Sequence, residues 1–223
     1  MIKHSRLNSK NMDTRVLHKD EVFEQVFIDE SVNMHVVQET GSKLKIHLIN
    51  FSSATNSITI EQMGEGCSTE IYGLAYLRGE ENVTTETHVK HAVGGGSSNQ
   101  LIKFVLDDHA HGRFIGDLKI APDAQQTEAH QTNRNLLLSE EAEMRTQPQL
   151  EIYADDVLAS HGASTGQLDE AALFYMQQRG ISKQNARQLL VNAFMKEVLD
   201  KISNSLVPNS LMPLLNSIDG IIE

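Results

Sequence analysis

Between Val22 and Tyr153 the chain is written in short runs where apolar and polar residues take turns, and this alternation constrains the fold more than any other feature. Val32, Met34 and Val36 form one such series, and Leu44, Ile46 and Leu48 another. Val83, Thr85, Thr87 and Val89 share one side of a strand, with Glu86, His88 and Lys90 on the other. Successive side chains of a strand point to opposite faces, so such runs are half-buried strands. Ser57 to Ile60, Ile71 to Leu77, Leu101 to Leu106 and Arg113 to Ile120 add further strands, and Pro122 ends the last. Many short strands with turns between them predict a mainly β chain. Few runs end in the Asn-Gly or Asp-Gly turns of a hairpin meander. Thr, Ser, Asn and Gln crowd the strands, which suits stacked coils with polar ladders. No clean repeat length is readable, so the pattern alone leaves a β-sandwich and a β-solenoid both open.

The 223 residues suffice for one or two domains with a real core. Lys and Arg number 19 against 30 Asp and Glu, a formal charge of −11. A nucleic-acid surface needs clustered basic residues, so no nucleic acid is expected as a partner. The acidic balance suits a cytoplasmic protein with a solvated surface. The single cysteine, Cys67, cannot close an internal disulfide or hold a four-cysteine cluster or zinc site. The polar start, Met1 to Asp20, has no apolar core of a signal peptide and reads as a flexible lead-in. No run of about 18 apolar residues marks a membrane span.

From Leu168 the period changes. Asp169 is placed to cap a helix carrying Ala172, Leu173 and Met176, and Gly180 to end it. Ser182 caps a second helix whose stripe is Ala186, Leu190, Phe194, Val198 and Ile202, with Leu189 and Ala193 beside it. Such a stripe packs against its own domain in most helices. The tail after Ser203, with Pro208 and Pro213, reads as irregular chain laid on an apolar surface.

Between the alternating part and the helices lies the stretch from Asn133 to Gly180. It contains NRNLLLS, PQLEIYADDV, SHGAS followed by TGQLDE, and ALFYMQQRGIS, with ARQLLVNAFMKEV downstream. Leu136 to Ser139 and Leu150 to Tyr153 read as strands, Pro148 as punctuation, and His161-Gly162 as the break where the chain turns helical. These ordered motifs resemble the SufB/SufD family of iron–sulfur cluster assembly scaffolds, in register from about Thr84 to Leu199. His-Gly-Ala after the turn resembles the SufD branch.

The resemblance implies a right-handed parallel β-helix over 21–163, after a lead-in at 1–20 and before a helical region at 164–223. It implies a scaffold, not an enzyme, that pairs with a SufB-like subunit through the end of its β-helix. A SufC-like ATPase would dock on the helices, making Leu173, Phe174, Tyr175, Arg179, Gly180 and Phe194 interface residues. His161 would be a ligand to iron or to a nascent cluster held transiently between subunits, with no cofactor bound stably by this chain alone. Many SufD members carry a cysteine where this chain has Ala159, and most are about twice as long. The chain is then either a fragment or a naturally reduced homologue. A reduced form that only homodimerises is the main alternative, and a β-helix carbohydrate enzyme a weaker one.

Beside this stands the plainer reading that His161 bonds turn backbone and caps the last coil. His109 and His111 with Asp107 could form a weak metal site, though surface roles are commoner. His88 and His91 fall on opposite faces, and Cys67 reads as a small buried side chain. Gly94 to Gly96 reads as a loop, because it lacks the Lys-Ser/Thr ending of a phosphate-binding loop. Glu140, Glu141 and Glu143, like Asp155 and Asp156, fit turns better than a facing acid/base pair. There is no nucleotide-binding fingerprint.

Overall fold

A computed structural model describes residues 12–203 and Leu206. Twelve strands alternate between two parallel sheets, ordered β1-β3-β5-β7-β9-β11 and β12-β10-β8-β6-β4-β2. Each coil of the chain therefore lays one strand in each sheet, and the coils stack into a β-solenoid. The first strand, β1, is Asp13–Leu17, so the lead-in expected over 1–20 already contains a strand, and its Leu17 is fully buried. The earlier residues lie outside the described ones, as does most of the tail after Ser203. The middle strands include β6 (Ser68–Leu77), β8 (Ser97–Leu106) and β10 (Thr127–Leu137). The last coil is β11 (Glu143–Ile152) and β12 (Val157–Gly166).

The repeat was illegible because the coils differ in length. Val22 pairs with Lys43, Lys43 with Ser68, and Ser97 with Glu128, so no single period holds along the chain. Variable loops absorb the difference, while the in-phase alternation keeps every register.

Between the sheets lies an aliphatic core that includes Leu17, Val36, Ile46, Ile58, Ile60, Ile71, Phe104, Phe114 and Leu118. Burying each Ile or Leu is worth about 1.5–3 kcal/mol. Polar ladders run up the corners of the stack. Gln38 pairs in register with Gln62, and Gln62 with His91. Gln38 Nε2 donates to Ser68 O at 3.1 Å, and Gln62 Nε2 to Ser97 O at 2.9 Å, tying sheet to sheet. Gly96 sits so close that a Cβ would lie 2.4 Å from Gln62 Oε1, which explains the glycine in that loop. Cys67 is buried, as expected, with Sγ 3.0 Å from Gly64 O.

The two outer faces differ. That of the odd-numbered sheet bears charged rows, such as Lys119–Glu151 at 2.9 Å and His35–Glu61 at 3.1 Å. That of the even-numbered sheet carries an apolar patch that lies under helix α2 (Lys183–Leu199). Ile49, Tyr72, Leu74, Leu101 and Val105 meet Val191, Met195, Val198, Leu199 and Ile202 there. The buried face of α2 is thus turned from the expected stripe: Ala186, Val198 and Ile202 are buried, but Val191 and Met195 replace Leu190 and Phe194, which are only half-buried, and Ala193 is exposed. Leu189, Leu190, Val191, Phe194 and Met195 are apolar round more than half the helix, so the sheet beneath selects the face.

Helix α1 (Glu170–Gln178) begins and ends as read. Asp169 accepts from Ala171 N at 2.8 Å, and Gly180 sits past the end at φ +88°. Ser182 caps α2 by accepting from Asn185 N at 3.2 Å. No helix among the described residues is long and apolar enough to cross a membrane.

Candidate functional site

The last coil forms an open end. β11 pairs only with β9 (His111–Ile120), and β12 only with β10, so among the described residues one edge of each strand carries no partner. Unpaired edges of this kind are templates for a further strand. Ile152, Tyr153 and Leu158 in this coil are 43%, 57% and 69% exposed, an apolar rim beside the free edges.

His161 lies in the middle of β12, not at a strand–helix break. The strand runs on to Gly166 and the helix starts only at Glu170, because small residues (Gly162, Ala163, Ser164) continue the pairing with β10. Pro148 likewise lies inside β11, in register with Gly116, and does not end a strand. An edge strand tolerates proline because its outward N–H has no ladder partner to lose.

Register decides where His161 points. Ala159, His161, Ala163 and Thr165 pair with Ala129, Gln131, Asn133 and Asn135, all buried between the sheets. Their neighbours face out: Ser160 Oγ lies 2.7 Å from His130 Nδ1 on the outer surface. His161 therefore belongs to the inward row yet is exposed, since no coil covers it. Ala159 belongs to the same row and packs against the aliphatic core.

Behind His161 the interior turns polar. Gln100 and Gln131 precede it in register on β8 and β10, and both are buried at 0% and 1% exposure. Neither atom of either amide has a hydrogen-bond partner. Across the core, Thr87, Gly116 and Pro148 form the facing row, and the Thr87 hydroxyl is also without a partner. An added Cβ on Gly116 would lie 2.3 Å from Gln131 Nε2, so the glycine clears space for that amide. The alternation already carried this signal, since Ile102, Phe104 and Leu106 share an inward face that Gln100 extends.

Among the described residues no group of three or more His, Cys, Asp and Glu could hold a metal ion. His161 would be one ligand among others supplied from elsewhere. His109 lies in the turn before β9, and His111 Nδ1 faces Glu143 Oε2 at 3.7 Å, so the two are not brought together with Asp107. His88 faces outward to Asp117 at 3.6 Å, and His91 is buried beside Ser98 Oγ at 2.8 Å, on opposite faces as expected. Glu140, Glu141, Asp155 and Asp156 lie in the turns around β11.

The helical interface residues divide. Leu173 is 1% exposed and faces inward, whereas Phe174 and Tyr175 are 65% and 58% exposed. Arg179 stacks on the Tyr175 ring at 4.5 Å and also bonds its hydroxyl. Gly180 shapes the turn after them, and Phe194 is half-buried with its ring 4.2 Å from Lys103 Nζ.

Residues 28–194 match the family "SUF system FeS cluster assembly, SufBD core domain". The chain is 35% identical over 169 residues to an iron–sulfur cluster assembly SufBD family protein of Synechocystis, covering 75% of this chain and 37% of that protein. It is 40% identical over 139 residues to the iron–sulfur cluster assembly protein SufD of Escherichia coli, covering 62% and 33%. It is 33% identical over 205 residues to the chloroplastic protein ABCI7 of Arabidopsis thaliana, covering 91% and 40%. The chain thus spans well under half the length of these relatives.

Proposed function

The chain belongs to the SufBD family of iron–sulfur cluster assembly proteins, and on that premise we propose that it is a cytoplasmic scaffold subunit of a Suf complex, not an enzyme in its own right. The observation that carries this reading is the open last coil, where two free strand edges and the exposed Ile152, Tyr153 and Leu158 surround an inward-facing His161. A SufB-like subunit pairs there by adding its own terminal strands to β11 and β12. The nascent cluster is cargo at that joint. Imidazole is a suitable ligand for iron, and His161 supplies one while the partner supplies the thiolates. Ala159 leaves this chain with no thiol beside it. A SufC-like ATPase docks on α1 through Phe174 and Tyr175 and provides the conformational work.

The test is co-expression of the tagged chain with the SufB-like and SufC-like proteins of the same cell. Recovery of all three, with cluster formation lost in His161→Ala, supports the reading. A homodimer that ignores both partners favours a solenoid that has kept its pairing edge and lost cluster assembly. Normal cluster formation by His161→Ala removes the ligand role.

A further inference from the structure

The first coil also has free edges. Among the described residues β1 pairs only with β3 (Val32–Gln38), and β2 (Val22–Ile28) only with β4 (Lys43–Asn50). Val16 and Val22 are 44% and 71% exposed there, an apolar rim like that of the last coil. Free edges and apolar rims therefore do not decide which end takes a partner. The inward rows differ. Arg15 heads the row that continues through Val36 and Ile60 and ends at Leu150. Phe23 heads a row of the other sheet that ends at Ala159. The Arg15 guanidinium lies over the Phe23 ring, 3.7 Å from its centre, and so bridges the two sheets across the end of the core. Glu21 Oε1 accepts from Arg15 Nη2 at 2.9 Å, and Glu21 Oε2 accepts from His18 N at 3.0 Å. The bond from Arg15 holds the Glu21 carboxyl below its ordinary range. Asp13 adds another charge to the same inward face.

We infer that Arg15, held by Glu21, is a stop that keeps the first coil from accepting a further coil of another chain. A coil laid on this end would strip water from the guanidinium, and a charge buried without new partners is costly. The last coil offers it none. Head-to-tail stacking of two copies would set Arg15 of one over Leu150 of the other, beside the uncharged Thr146, Ala159 and Ala163. Inward-pointing charges are one means by which sheets protect an edge, and the end repeats of solenoids are closed by polar groups. The consequence is a limit on assembly. Head-to-tail stacking would continue both parallel sheets, and a contact of that kind does not close on itself but runs on as a filament. With the first coil stopped, joining is confined to the last coil. That confinement rests on the pairing proposed above; the stop is a property of this chain alone.

The test needs no cluster and no Suf partner. The full chain and its double variant Arg15→Met with Glu21→Gln are compared by sedimentation and light scattering over a range of concentrations. Methionine keeps an apolar stem over Phe23, and the two changes together remove both charges without orphaning either. The double variant should associate at least about tenfold more tightly than the unsubstituted chain, with a mass that rises with concentration. Adding Val16→Lys, which charges the exposed rim of the same strand, should reverse the gain. A double variant with the circular dichroism and the mass of the unsubstituted chain overturns the inference. So does a gain that survives Val16→Lys, because the association then does not use the first coil. If the double variant fails to fold, Arg15→Gln with Glu21→Gln decides in its place: it keeps a polar tip without charge, and no gain in mass overturns the inference. Failure to capture a SufB-like subunit would remove the joint proposed at the last coil and would leave this comparison as it stands.

Discussion

Lys103 on β8 and Glu197 on α2 form an ion pair that fastens the helix to the outer face of the sheet. Lys103 is 2% exposed, and its ammonium also donates to Phe194 O at 2.8 Å. Arg134 Nη1 adds a second cation 3.2 Å from Glu197. The Lys103 hydrogen bond holds the Glu197 carboxyl below its ordinary range, while burial pushes Lys103 down. Removing the carboxylate leaves an uncompensated buried charge. Glu197→Ala should cost about 1–3 kcal/mol, less than for a fully enclosed pair because Glu197 is 44% exposed. Lys103→Met should be within about 1 kcal/mol of neutral, since it replaces the pair by apolar packing. Urea unfolding of both variants checks the order; a larger loss in Lys103→Met would contradict it.

His91 gives the fold a pH dependence of known sign. Burial pushes its imidazole down to about 4 from the ordinary 6.5. As pH falls between those values the unfolded chain binds a proton that the folded chain refuses. Stability is then complete above pH 6.5 and is lost as pH drops toward 4, by about 3 kcal/mol at most. Burial lowers His47 as well, against the opposing pull of Glu24, and adds in the same direction. Gln38 and Gln62 hold the equivalent rungs, so His91→Gln should keep the ladder and flatten the slope. Urea midpoints taken across this pH window test it.

Gly116 and Gln131 should be energetically coupled. Gly116→Ala places a methyl group on the Gln131 amide and should destabilise by about 1–3 kcal/mol, the range for overpacked cores. In a Gln131→Ala background the same change should cost less, with a coupling of about 0.5–2 kcal/mol in a double-mutant cycle. Additive losses would mean that the amide lies elsewhere.

If α1 is the docking surface proposed above, Phe174 and Tyr175 should separate stability from partner binding. Both are mostly exposed, so Phe174→Ala with Tyr175→Ala should leave the melting curve of the isolated chain almost unmoved. The same pair should weaken capture of the SufC-like ATPase by tenfold or more, at about 1.4 kcal/mol per tenfold. Leu173→Ala should do the reverse first: it opens a cavity under α1 and lowers the melting point, at about 2–5 kcal/mol for a buried leucine. A pull-down and a thermal melt on the same preparations distinguish the two.

Local rules in the sequence determined the strands between Val22 and Ile120, the helix caps at Asp169 and Ser182, the left-handed Gly180, and the inability of one cysteine to staple the fold. Each depends on residues within a turn or so of one another, where alternation and capping act. The family motifs from Asn133 onward added the architecture. Pro148 and His161 were misplaced for the same reason: each carries a turn-like local signal, and long-range pairing with β9 and β10 overrode it.

Only the tertiary structure decided which rungs meet. Gln131 lies beside His161, and Lys103 beneath Glu197, because coils of unequal length stack in register and α2 folds back over the sheet. Those contacts join residues far apart in the chain, through loops whose lengths follow no fixed period. Period-two alternation tells which face a side chain takes and cannot tell which neighbour it finds there. The open end, the polar strip behind His161 and the buried face of α2 all belong to that second kind of information.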